Sequence, residues 1–179
     1  SYLPRSNYRL DESTADFARL RPSWRGLDLN RYFRHVNRKM LAPTGERTLV
    51  TAIAPREVWS LHNVVTMAFG RSEDLVRFSA FTHSVVADFF VKSSGKADAQ
   101  ASLLRLLPHP RPVLAASART LRLNCLTVHY ADLWRELYDT AFWLDTHTKP
   151  DARLPDWSHL GPEWTWDTPL RTPFARRQA

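Results

Sequence analysis

The chain holds one cysteine, Cys125, among 179 residues. That excludes an internal disulfide and any zinc site built on clustered thiolates, and it makes a reducing, cytoplasmic setting the default. Glycine is nearly as sparse. Gly26, Gly45, Gly70, Gly95 and Gly161 stand far apart, so no glycine-rich loop is present to cradle a nucleotide or an adenosyl cofactor. A Gly-x-Ser-x-Gly nucleophile elbow and a Walker-type lysine are missing too. The longest fully apolar stretches run for only a few residues, far below the 18 or so of a membrane span. The polar start, Ser1 to Asp11, has no apolar core of the signal-peptide kind.

What is present describes a globular, basic chain. Hydrophobic residues make up 44% and aromatics 12%, enough to build a core. The net charge of +7 is unevenly distributed. Residues 1–58 carry 11 Lys and Arg against 6 Asp and Glu, residues 59–112 carry 6 against 4, and residues 113–179 carry 8 against 8. Within the basic third, Leu29 to Gly45 contains no acid but holds Arg31, Arg34, Arg38 and Lys39, with His35 and Asn37 between them. Such a cluster suits a polyanion, because each phosphate it neutralises releases condensed counterions. Arginine outnumbers lysine 21 to 4, which favours bidentate bonding to phosphates or guanine edges.

The hydrophobic patterning predicts an α+β domain: a small mixed or antiparallel sheet with packed helices, then a long C-terminal helix and an extended arm. A short helix is expected over Asp11 to Leu20, broken by Arg21-Pro22. Strands are expected over Glu46 to Ala54 and Asn63 to Phe69. Ser72 is a plausible N-cap for one helix in which Leu75, Phe78, Thr82, Val85 and Phe89 recur at steps of three and four. Ser102 to Leu107 reads as a short strand. The longest helix is expected over about 117–144. Thr146 to Pro173 has five prolines with Trp157, Trp164 and Trp166, the composition of an extended arm anchored by aromatics.

Catalytic groupings are hard to find. The seven histidines have no metal-ligand spacing. His83, Ser84 and Asp88 invite a triad reading, but on one helix His83 and Ser84 diverge by about 100°. Cys125 is expected to be a small core residue. The chain is therefore not expected to be a self-contained enzyme.

The order of elements resembles a known family. Tyr32 to Arg38, followed by Glu46-Arg47-Thr48-Leu49 through Ile53 to Pro55, is similar to the target-recognition domain of N6-adenine DNA methyltransferases of the bifunctional type II restriction–modification and phage-defence classes. The helix holding Ser84 and Asp88-Phe89-Phe90 continues that order. So do Leu107-Pro108-His109-Pro110, the helix from Leu123 to Trp134, and Pro169-Leu170-Arg171 with Arg176 to Ala179. The resemblance spans roughly residues 30–179 and is strongest over 46–110. No two prolines are adjacent, so the Asn-Pro-Pro-Tyr type of catalytic motif is missing. The resemblance thus implies that the catalytic half and its S-adenosylmethionine lie upstream in a longer polypeptide.

It further implies a division into a connector (1–28), a recognition-like domain (29–112), a long helix (113–145) and an arm (146–179). The expected partners are double-stranded DNA and the catalytic half. Phosphate contacts set register and base-edge contacts set sequence, while the target adenine leaves the stack. The candidates for phosphate are Arg31, Arg34, Arg38, Lys39 and Arg71; those for base edges are Asn37, His62 and Asn63. Arg47 and Thr48 are expected to hold their strand. The tryptophan arm is expected to act as scaffold, since Asp156, Glu163 and Asp167 around it repel a nucleic-acid backbone. Two other readings stand beside this one: a stand-alone nucleic-acid-binding or specificity subunit, and a structural protein whose basic patch meets an acidic partner.

Overall fold

The computed structural model describes residues 14–179, residue 43 excepted. Helix α1 (Thr14–Leu20) ends before Pro22 as expected, and residues 11–13 of that expected helix lie outside the described part. A ribbon follows, β1 (Ser23–Trp24) paired antiparallel with β2 (Leu27–Asp28). Its two-residue turn has Arg25 and Gly26 both at positive φ, the backbone that a tight hairpin demands. The Tyr32 hydroxyl closes this unit by donating to the Trp24 carbonyl at 3.0 Å.

The sheet proper has three antiparallel strands, β3 (Arg34–Arg38), β4 (Thr51–Ala54) and β5 (Val64–Ala68), with β3 in the middle. The central strand is the segment that the sequence presents as a basic lead-in. Three of its five residues, Arg34, His35 and Asn37, are buried. Phe33, His35 and Asn37 alternate along one face of the extended chain. There His35 meets Phe78 edge-on at 5.0 Å, and its Nδ1 lies 3.2 Å from the Ser79 hydroxyl.

Across this face lies α2 (Ser72–Thr82). It starts on an extended Arg71, so Ser72 is its first helical residue and not its cap, and Glu73 and Asp74 complement its positive end. The single helix expected through Phe89 is two. Chain direction changes at His83, and the Ser84 hydroxyl accepts from Ala87 N at 3.2 Å to cap α3 (Val85–Ser93). The break rotates the apolar stripe. Leu75, Phe78 and Thr82 are buried as expected, but Val85 and Phe89 are 73% and 70% exposed, and Ala87, Asp88 and Val91 face inward.

Ser102 to Leu107 is also not a strand. Helix α4 (Ala101–Leu104) places Leu103, Leu104 and Leu107 against Leu49, Ala87, Val91 and Ala99 in a small second core. Both periods fit Ser-Leu-Leu-Arg-Leu-Leu, and the helical one buries the three leucines together.

The expected long helix resolves into α5 (Leu114–Asn124), a 3₁₀ turn at Val128–Tyr130, α6 (Ala131–Leu137) and a second 3₁₀ segment at Thr140–Leu144. Asn124 ends α5 by turning its side chain onto the sheet. Its Oδ1 accepts from Ile53 N at 2.9 Å. Asp139 starts the last segment by accepting from Ala141 N. The main core gathers Phe33, Ile53, Leu75, Val76, Leu121, Cys125, Leu133, Trp134 and Phe142. The burial of Cys125 agrees with its expected role, and that burial pushes its thiol far above the usual range.

The arm lies on this core. Trp134, Tyr138 and Trp143 donate to the carbonyls of Gly161, Leu160 and Leu160 respectively, and Trp164 donates to Cys125 O. The arm ends in α7 (Pro173–Gln178), capped by Thr172. No described helix is long and apolar enough to cross a membrane.

Candidate nucleic-acid interface

The eight residues singled out in the sequence do not form one surface. Arg34 and Asn37 leave the set because they are interior. Arg34 is 1% exposed and donates to the carbonyls of Pro55 and Val58. Desolvation lowers the pKa of its guanidinium. Asn37 is buried and donates from Nδ2 to Ala99 O at 2.8 Å and to Arg38 O at 3.0 Å. Neither side chain reaches a duplex. Arg34→Ala is accordingly expected to cost about 3 kcal/mol of stability, through lost volume and two unsatisfied carbonyls. Arg38→Ala should stay within about 0.5 kcal/mol. Urea unfolding midpoints read the contrast, and equal midpoints would place both residues on the surface.

Arg31 and Arg71 are exposed, but each is paired. Arg31 lies 3.3 Å from Glu57, and Arg71 lies 3.3 Å from Glu73. With Arg56, itself bonded to Asp132, they line a cavity of about 130 Å³ that Glu136 also faces. Local carboxylates thus balance this group. It sits beyond the Arg34 end of β3, away from Arg38 by the strand's length, roughly 15 Å at 3.3 Å per residue.

The remaining four residues converge at the other end. Arg38 closes β3, is exposed, and pairs in register with Val64. Its N–H donates to Val50 O at 3.0 Å. Lys39 N donates to Asn63 O at 2.8 Å, and the Lys39 ammonium lies 2.9 Å from His62 Nε2. His62 and Asn63 are both exposed.

The structure adds Lys96, which the sequence analysis did not single out. Residues 97–99 run antiparallel beside 39–41 through Leu41 N to Ala97 O, Ala99 N to Lys39 O and the Met40–Asp98 bridge. Lys96 is thereby brought to the same end, and a lone lysine in a polar loop carries no sequence signal of that placement. Among the described residues, Arg38, Lys39 and Lys96 have no carboxylate at ion-pair distance, whereas Arg31, Arg56 and Arg71 each do.

The residues with catalytic overtones have structural employment. His83 ends α2 and Ser84 caps α3. Asp88 accepts from the backbone N–H groups of Thr48 and Leu49 at 2.9 and 2.7 Å. Arg47 donates to His83 O at 2.8 Å and lies 3.7 Å from Asp88, so this stretch is held in place as expected. Instead of a strand from residue 46, however, the segment before Thr51 is irregular. Two of its backbone donors, Thr48 N and Leu49 N, are satisfied by a carboxylate and not by a ladder.

The arrangement defines a class, an α+β domain with a small antiparallel sheet whose Arg38 end presents cations without a carboxylate partner beside two exposed hydrogen-bonding side chains. Compared with protein-family models, curated proteins and solved structures, the chain shows no match.

Proposed function

We propose that this chain binds double-stranded DNA and serves as the sequence-reading module of a site-specific adenine-N6 DNA methyltransferase of the restriction–modification or phage-defence type. The observation that carries the reading is the convergence of Arg38, Lys39 and Lys96, free of acidic partners, with His62 and Asn63. In this reading the three cations grip phosphates and set register. His62 and Asn63 address base edges, for which an amide matches adenine. The target-recognition-like fold and the docking of the arm side onto a catalytic half belong to the same proposal. The methyl donor, S-adenosylmethionine, is held by that half.

The cation count fixes the expected salt dependence. Three neutralised phosphates predict a log–log slope of about −3 for duplex binding. Reversing charge at Arg38→Glu and Lys39→Glu together should weaken binding by roughly tenfold or more while leaving the unfolding midpoint nearly unchanged. Binding that ignores salt, or an unaltered affinity in the double variant, would overturn the interface. Selection from a pool of random duplexes tests the methyltransferase reading separately. A shared site containing an adenine supports it, and binding without any shared sequence supports the stand-alone nucleic-acid-binding subunit.

A further inference from the structure

Among the described residues, five of the buried side-chain atoms without a protein partner gather in one place away from the sheet, whose strands hold others on Arg34, His35, Asn37 and Thr51. Arg122 of α5 is 0% exposed. Its Nε donates to Thr168 O at 2.9 Å, and its guanidinium lies 4.3 Å from the centre of the Trp157 ring, yet Nη1 and Nη2 have no hydrogen-bond partner. The His147 ring lies 5.8 Å from that same indole, and both of its nitrogens are buried and unpartnered. So is Trp157 Nε1. Four orphaned nitrogens thus surround one indole whose own nitrogen is orphaned as well. Each buried donor left unsatisfied is costly, and a guanidinium is the costliest.

The set is almost purely donating. Nη1 and Nη2 supply four N–H groups, the indole one, and neutral His147 one. The nearby carboxylates Asp145 and Asp156 act on Arg122 through space but make no hydrogen bond to these nitrogens. Asp145 is engaged by Arg119 through two bonds of 2.9 Å, Asp151 by Arg153, and Asp156 by Ser158. His147 and Trp157 also form part of the wall of a pocket of about 510 Å³, whose apolar side is Trp143, Leu154 and Pro155 and whose acidic side is Asp145, Asp151 and Asp156, each held by its own partner. The segment lining it, 148–156, is hydrogen-bonded chiefly to itself, through Leu154 N to Asp151 O and the Arg153–Asp151 pair, and Arg153 also lies over the Phe174 ring at 4.0 Å. Its lifting to admit a ligand would break the Arg153–Phe174 contact but few hydrogen bonds to the rest of the chain.

We propose that Arg122, His147 and Trp157 form a binding site for a phosphate group, entered by displacement of residues 148–156. A phosphate matches the donor set through its several strong acceptor oxygens. Burial, with Arg119 and Arg122 nearby, lowers the His147 pKa, and Asp145 acts the other way. The site is distinct from the Arg38 end of the sheet and does not depend on the DNA-binding reading.

The test titrates inorganic phosphate into the full chain, read by ³¹P NMR and by the thermal midpoint, with acetate as a parallel arm. Trp157→Phe keeps the aromatic face and removes the indole N–H; His147→Gln keeps polarity. Saturable phosphate binding, weakened roughly fivefold or more in each variant, is the expected result. No saturable binding, or binding unchanged in both variants, overturns the site and leaves buried water as the partner of these nitrogens. Acetate binding without phosphate binding overturns the ligand class. The Arg38→Glu, Lys39→Glu protein should keep its phosphate affinity; if it loses it, the phosphate sits on the sheet end and the inference fails.

Discussion

Replacing Asp88 with alanine is expected to destabilise the protein by roughly 3–4 kcal/mol, because two buried N–H groups lose their acceptor at once. One carboxylate oxygen holds both Thr48 N and Leu49 N. The effect should extend to the proposed interface. Val50, the next residue, offers the carbonyl that accepts from Arg38 N, so a loosened 47–50 segment releases the end of β3. Asp88→Asn keeps an acceptor oxygen and should lose about half as much. Urea unfolding gives the stability, and amide exchange at Arg38 gives the coupling. An alanine variant within about 1 kcal/mol of the parent would show that water replaces the carboxylate.

Acid should unfold this protein well before its carboxylates are neutralised. His35 is buried and held down to about pH 3, chiefly by desolvation and further by His83. His83 is held to about 4 by burial first and by Arg47 next. Both depressed values belong to bases. Above about pH 6.5 the rings are neutral in both states and exact no penalty. Below it the unfolded chain takes up protons that the native chain refuses, so stability falls with pH. His35 alone gives roughly 1.4 kcal/mol per pH unit between about 6.5 and 3, and His83 acts in the same direction down to about 4. Thermal midpoints from pH 7 to 4 should decline steadily, and His35→Leu should flatten the decline. A level profile would mean that both rings charge without unfolding.

How far the sequence could be read depends on the element. Strand β5 and the start of α2 were legible, because alternation and first-turn acids are local signals. The split at Ser84 was not, since an apolar stripe with good spacing ran across a residue that is also a good cap. The same limit applies at Asn124. Its side chain bonds Ile53 N, 71 positions away, and only the folded chain brings that partner to it. The helical Leu103, Leu104 and Leu107 were lost to a strand because six residues fit both periods.

The candidate interface shows this most sharply. An acid-free, arginine-rich stretch reads as solvated surface, since charged groups are rarely buried without a partner. Yet β3 is the middle strand, and its neighbours cover Arg34 and Asn37 while leaving Arg38 open.

Composition alone established that the chain is globular and basic, without the cysteines for an internal disulfide and without a glycine-rich nucleotide loop. These properties belong to residue types and their near neighbours. The tertiary structure decided which cations keep their charge available to a partner. Arg31 meets Glu57 and Arg71 meets Glu73, whereas Lys96 reaches the Arg38 end of the sheet only through the pairing of 97–99 with 39–41. Availability depends on distance to carboxylates and to water, and folding sets those distances between residues far apart in the chain.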